Sequence, residues 1–409
     1  MLDVSSIRED FPILNENVYG HPLVYLDNAA TMQMPRQVMD CIVRHYSTTN
    51  ANVHRGVHYL SERSTSAMEQ SRQRISRFLG ADGLGTVVFV SGATEGINLA
   101  AQCGVRQHLS PGKKVVVTHM EHHSNFVVWQ ELCHQTGARL VICPLTDAGE
   151  LDMDFMLSAI DQDCAAVAVC AVSNVLGTAN DVATICHAAR EVGAVSLVDA
   201  AQAMRHGRLD VDRIGCDFLA FSGHKVMAPS GTGALYVSDR MRDRMVPYRF
   251  GGGMVDQVGD RQTSYADLPL MLEAGTPNIS GNIALASALD YLEELGLDQV
   301  ATYEGELLAR AEQGLDALDG VHVLGHPKER FGAVSFVVDG VHPFDLATLL
   351  DKRGIAIRTG HHCAQPLLRS LGQSSVVRIS PAFYNTPEEV DYCIEQVSAC
   401  SNFLRKFSK

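Results

Sequence analysis

Between residues 86 and 237 the chain switches repeatedly between short β-branched or aliphatic runs and longer amphipathic stretches. The runs are TVVFVS, KVVVT, RLVIC, AAVAVCAV, AVSLVD, DFLAFS and GALYV, seven in all. Most are continuously apolar rather than alternating, so both faces of each strand are expected to be buried. With helical stretches between them, they predict a doubly wound α/β layout: a seven-stranded, mostly parallel sheet with helices on either side. Ligands bind such sheets beyond the carboxyl ends of the strands.

The texture changes after the turn Gly251-Gly252-Gly253 and the AGTPN segment at 274–278. Amphipathic patterns over 282–295 and 297–318 predict two long helices. Strand-like AVSFVVDG, a helix over 343–353 and the strand VVRIS follow, which together read as a smaller α+β domain. The expected division gives residues 21–276 to a large domain, and residues 1–20 with 277–409 to the small one. Neither a low-complexity linker nor an internal repeat separates them, so a tight interface is expected.

Composition narrows the function. The 409 residues are 46% hydrophobic and 20% charged, as in an ordinary globular protein, and 33 Lys+Arg against 47 Asp+Glu give a net charge of -14. That balance argues against nucleic acid or an anionic membrane as partner. The eleven cysteines form no C-x-x-C pair, and most sit in apolar stretches, as reduced thiols of a cytoplasmic protein do. The first residues lack the apolar core of a secretion signal, and no run approaches membrane-spanning length.

Chemically capable residues follow four of the strands and should converge. After TVVFVS, Gly92-Ala93-Thr94-Glu95-Gly96 opens a helix whose free N–H groups suit a phosphate, with Thr94 as a further donor; an ordinary cap is the plain alternative. After KVVVT comes His119-Met120-Glu121-His122-His123-Ser124-Asn125. Its spacing does not suit a metal, and no metal is expected; a ring stacked on a planar cofactor, or a capping histidine, fits better. After AVSLV, Asp199 stands at a buried strand end with Gln202 three residues on. A protonated pyridine nitrogen would meet its charge, as would a metal or a helix cap. After DFLAF, Lys225 in Ser222-Gly223-His224-Lys225 fits a Schiff-base lysine deprotonated by desolvation, with Ser222 and His224 joining Thr94 at the phosphate.

Two features of the second domain add to these. Cys363 lies in Arg358-Thr359-Gly360-His361-His362-Cys363-Ala364, a basic and imidazole-rich glycine loop that favours a thiolate nucleophile. Arg378, a charge inside the apolar strand VVRIS, is suited to a bidentate hold on an α-carboxylate or to a structural ion pair.

In order along nearly the whole chain, LDNAAT (26–31), NVHRGVHYLS (52–61), SGATEGIN, MEHHSN, VSNVLGT, VDAAQA, FSGHK, the glycine turn, EAGTPN and RTGHHCAQPL resemble the class V aminotransferase group of fold-type-I pyridoxal-phosphate enzymes. Within it, RTGHHCA resembles the Suf-type (group II) cysteine desulfurases. The resemblance implies pyridoxal 5'-phosphate held by Lys225, stacked by His122 and paired at its nitrogen by Asp199. It further implies Gln202 at the phenolic oxygen, Thr94, Ser222 and His224 at the phosphate, and Thr276 completing the cup of the other subunit of a homodimer. Asn174, Arg358 and Arg378 would hold the substrate carboxylate. Two departures stand out: Leu270-Met271-Leu272 before EAGTP, where the family commonly has Trp-Arg-Phe, and VMAPSG after Lys225.

The expected reaction removes sulfur from L-cysteine, giving L-alanine and a Cys363 persulfide. That persulfide would pass to a SufE- or SufU-like acceptor for iron–sulfur cluster assembly. A selenocysteine lyase or another class V enzyme would share every cofactor residue. A non-catalytic sulfur carrier or scaffold is opposed by Lys225, Asp199 and Cys363, and a nicotinamide dehydrogenase by the lack of G-x-G-x-x-G after the first strand.

Overall fold

A computed structural model describes residues 2–406. The seven expected runs become strands β1 (Gly85–Val90), β2 (Lys114–Thr118), β3 (Arg139–Cys143), β4 (Cys164–Cys170), β5 (Val195–Asp199), β6 (Phe218–Ser222) and β7 (Gly233–Ser238) of one sheet. Their order is β1-β7-β6-β5-β4-β2-β3. The β2–β3, β2–β4, β4–β5 and β5–β6 pairs are parallel, and β7 is antiparallel to both β6 and β1. Six strands therefore run one way, and the ends of β1, β2, β4, β5 and β6 meet on one edge. Alternation splits each strand between two cores: Val87, Phe89, Val116, Val198 and Leu219 face one, while Val88, Val90, Val115, Val117 and Leu197 face the other. That is why the runs read as continuously apolar.

The second sheet is antiparallel, β8 (Val321–Val323), β9 (Val334–Val338), β10 (Arg358–Gly360) and β11 (Val376–Ile379), in the order β8-β9-β11-β10. The expected helices are present as Ile279–Leu295, Leu297–Asp316 and Pro343–Asp351. The last of these and Pro387–Arg405, which opens with a capping box at Thr386 and Glu389, supply residues to this sheet's own apolar cluster. Val24–Tyr25 pairs with Ile355–Ala356, and Asp27 bridges to Ser380, so the early LDNAAT segment is stitched to the second sheet.

Two features were not expected from the pattern. Tyr59–Phe78 is a 20-residue helix whose buried stripe is Ser61, Ser64, Met68, Ser71, Arg72, Ile75 and Phe78. Small hydroxyl residues hide that stripe from a hydrophobicity reading. The helix after Gly92 also changes form, α over Ala93–Leu99 and π over Ala100–Val105, where Gly104 lies against the Phe218 ring.

Candidate active site

The strand ends enclose a cavity of about 270 Å³ lined by Thr94, His122, Asn174, Asp199, Ser222, His224, Lys225, Arg358, Cys363 and Arg378, among others. Residues chosen from four strand ends and from the second sheet thus share one space. The geometry begins at Gly233, which faces Val90 of β1 and Ser222 of β6 at once. A Cβ there would come within 2.7 Å of the Gly92 backbone, so only glycine lets the two turns close up. Ser222 Oγ then accepts the Ala93 N–H at 2.8 Å, and Thr94 Oγ1 lies 2.7 Å from Ser124 Oγ.

Lys225 is half-buried at the cavity wall. Burial pushes its amine down to about 8, against the opposing pull of the Asp199 carboxylate, and Arg378 and Arg358 push it the same way as burial. Asp199, 5% exposed, is raised by burial and steadied by Lys225 and the Ala201 N–H. His122 is pushed down to about 3 by burial and then by Lys225, so its ring is neutral. Ser124 N–H donates to its Nδ1, which leaves the ring hydrogen on Nε2.

The residue before His122 was not among the expected site residues. Glu121 is completely buried; its carboxylate oxygens accept from Thr118 Oγ1, Asn125 Nδ2 and the Cys170 N–H, and burial pushes it up to about 8. It ties the end of β2 to that of β4 and so fixes the turn carrying His122. A carboxylate three residues past the apolar run KVVVT, inside a histidine cluster, was the available signal.

Cys363 sits in a strained loop after β10, where His362 and Cys363 both have positive φ, 49° and 53°. Non-glycine residues rarely adopt this conformation, at a cost of about 1–2 kcal/mol each. Cross-connections hold it: His123 N–H donates to Cys363 O, Cys363 N–H to His361 Nδ1, Gln365 N–H to His123 Nε2, and Asn174 Nδ2 to His362 O. Burial pushes His362 down to about 3 and also lowers His123. These two imidazoles therefore bring no charge to the thiol at neutral pH, and the cationic setting inferred from the sequence rests on the guanidinium groups. Of the eleven thiols, Cys41 and Cys363 alone escape full burial, and Cys363 is the one that lines the cavity.

Two expected residues lie outside the cavity lining. Gln202 Nε2 donates to Ala29 O at 2.7 Å, and its Oε1 is buried without a protein partner. Thr276 lines two other clefts, one of them with His54, Arg55, Gly252 and Gly253. Asn174 Oδ1 and Arg378 Nε are also buried without partners at the cavity wall. A donor-rich helix start, a neutralisable lysine, an opposed carboxylate and these free polar atoms suit a planar, phosphorylated pyridine aldehyde.

The chain matches the family model described as Aminotransferase class-V over residues 24–393. It is 44% identical to a cysteine desulfurase of Dickeya dadantii, covering 95% of this chain and 94% of that one. It is 43% identical to a probable cysteine desulfurase of Halalkalibacterium halodurans over 95% and 96%. Among solved structures, the cysteine desulfurase CsdA of Escherichia coli superimposes with a TM-score of 0.91 at 36% identity, covering 99% and 100%. The apo cysteine desulfurase of Thermococcus onnurineus superimposes at 0.92, also 36% identical, over 99% of each chain.

Proposed function

We propose, for a chain that belongs to the class-V aminotransferases and is a pyridoxal-phosphate-dependent cysteine desulfurase, that Lys225 holds the cofactor and Cys363 receives the sulfur of L-cysteine. The observation that carries this assignment is that Lys225, Asp199 and Cys363 line one cavity although they come from two different sheets.

When bound, pyridoxal phosphate supplies an electron sink for bond breaking at the substrate's α and β carbons. In this reading Thr94, Ser222 and His224 hold its phosphate, His122 faces its ring, Asp199 keeps the ring nitrogen protonated and Gln202 serves the phenolic oxygen. Arg378, with Asn174 and Arg358, grips the substrate α-carboxylate. Lys225, partly neutral near pH 7 because burial lowers it to about 8, moves the proton at the α-carbon. The Cys363 thiolate attacks the substrate sulfur. The C–S bond breaks with its electron pair left on carbon, which is protonated on the way to L-alanine, and the sulfur remains on Cys363 as a persulfide.

The finer organisation belongs to the same proposal. Residues 21–276 form the large cofactor-binding part, and residues 1–20 with 277–409 the part presenting the Cys363 loop; a separate sheet and apolar cluster support the second. The protein acts as a homodimer in which Thr276 completes the phosphate cup of the partner. Exposed Tyr46, Val57, Tyr59 and Phe250 support an apolar seam of that kind. Cys363 passes its sulfur to a SufE- or SufU-like acceptor for iron–sulfur cluster assembly in the cytoplasm; the half-buried position of its thiol supports access by such a partner.

Purified protein should be yellow, and with L-cysteine and a reductant should release alanine and sulfide in equal amounts. A colourless protein that added cofactor leaves unchanged would overturn the reading. Faster turnover of L-selenocysteine than of L-cysteine at matched concentration would instead make it a selenocysteine lyase.

A further inference from the structure

Arg358 of β10 lies directly opposite Arg378 of β11 in the antiparallel ladder. Like charges in that position repel and destabilise the pair. Arg378 is 2% exposed and Arg358 half-exposed, so solvent screens the repulsion from one side only. One acidic side chain meets both: Asp27, of the segment stitched to this sheet, lies 3.0 Å from Arg378 Nη2 through Oδ1 and 3.6 Å from Arg358 Nη1 through Oδ2. The rest of the Arg378 fork is half committed, since Nη1 donates to the Asn174 backbone carbonyl at 2.8 Å while Nε has no partner. Both arginines line the cavity, and Asp27 stands behind them.

We propose that Asp27 is a positioning and specificity residue that fixes the charge of this subsite. Two guanidinium groups against one carboxylate leave a single net positive charge facing the cavity. That matches a ligand bearing one carboxylate, whereas a dianion would leave uncompensated charge in a poorly solvated space. Asp27 also holds the Arg378 fork so that Nε remains free. This inference rests on the proposed role of Arg358 and Arg378 in binding the substrate carboxylate.

The test uses holoenzyme and measures competitive inhibition against L-cysteine by acetate, a monoanion, and malonate, a dianion, at fixed ionic strength. Asp27→Asn keeps the shape and a hydrogen-bond acceptor but raises the subsite charge by one. The ratio of acetate to malonate inhibition constants should rise by at least roughly tenfold. A residue that merely supported the fold would weaken both inhibitors together and leave the ratio alone. Asp27→Asn/Arg358→Gln restores the charge count and should return the ratio to that of the parent. If Asp27→Asn loses its visible absorption band, Arg358→Gln alone, which moves the charge the other way at a half-exposed side chain, should lower the ratio. Unchanged ratios in these variants overturn the inference. Arg378→Gln separates the two levels. A raised KM for L-cysteine with unchanged ratios in the Asp27 variants defeats this inference alone, while an unchanged KM defeats the carboxylate-subsite reading and this inference with it.

Discussion

The cavity works by setting the charge states of a few side chains against their surroundings. An exposed lysine amine is protonated until high pH, but burial brings Lys225 from 10.5 to about 8. Only the neutral amine attacks an aldehyde. Capture of added cofactor by apoprotein, followed by growth of the visible band, should therefore rise with pH through about 8 and level off well below 10.5. Lys225→Ala should develop no band at any pH. Cys363 is separable from this step, because its loop is anchored through backbone groups rather than through its thiol. Cys363→Ser should keep the band and lose alanine formation from L-cysteine by a factor on the order of 10³. Retained turnover would shift attention to Cys41, the other thiol that is not fully buried.

Among elements, β7 has the least obvious task. It contributes none of the expected site residues, yet its reversed direction lets Gly233 face both phosphate-side turns. Gly233→Ala would drive a methyl group to 2.5 Å from Phe221 O and 2.7 Å from Gly92 Cα. Overpacking of this kind costs about 1–3 kcal/mol. A lowered denaturation midpoint together with cofactor loss on gel filtration would show that the turns had moved apart; a lowered midpoint with full retention would assign Gly233 to packing alone. The helix Leu297–Asp316 illustrates a legible signal that was passed over. Its buried stripe is Val300, Glu304, Leu307, Leu308, Ala311 and Leu315, so the helical period itself places an acid among apolar residues.

Glu304 belongs to the scale of the whole molecule. It is 1% exposed, accepts from Arg205 Nε, lies 3.0 Å from His206 Nδ1 and receives the Phe383 N–H. The turn that follows Asp199 and Gln202 is thereby tied to the segment that follows Arg378. Glu304→Ala would leave Arg205 buried and unpaired, a loss of about 3–5 kcal/mol. Burial raises this carboxyl, but Arg205 and His206 more than offset it, and its pKa is lowered from 4.5. The stabilisation is therefore fully present above the unfolded value near 4.5 and disappears as pH falls through the lower folded value. Denaturation midpoints should show the Glu304→Ala deficit at pH 7 and a shrinking difference under acid conditions. The seven strands, the later helices and the polar residues at the strand ends could be read along the chain, because strand burial and helical amphipathicity are local patterns. Lys225 and Asp199 were legible for the same reason, since Asp199 closes an apolar run and Lys225 lies in the turn just after one. Which charges face one another is settled by the folded arrangement. The pairing of Asp27 with two arginines spans more than 300 residues of chain, Glu121 and Glu304 acquire partners only when distant elements meet, and the serine-rich stripe of Tyr59–Phe78 is buried by what packs on it rather than by its own hydrophobicity. Burial and charge compensation are properties of proximity in space, and separation along the chain does not encode them.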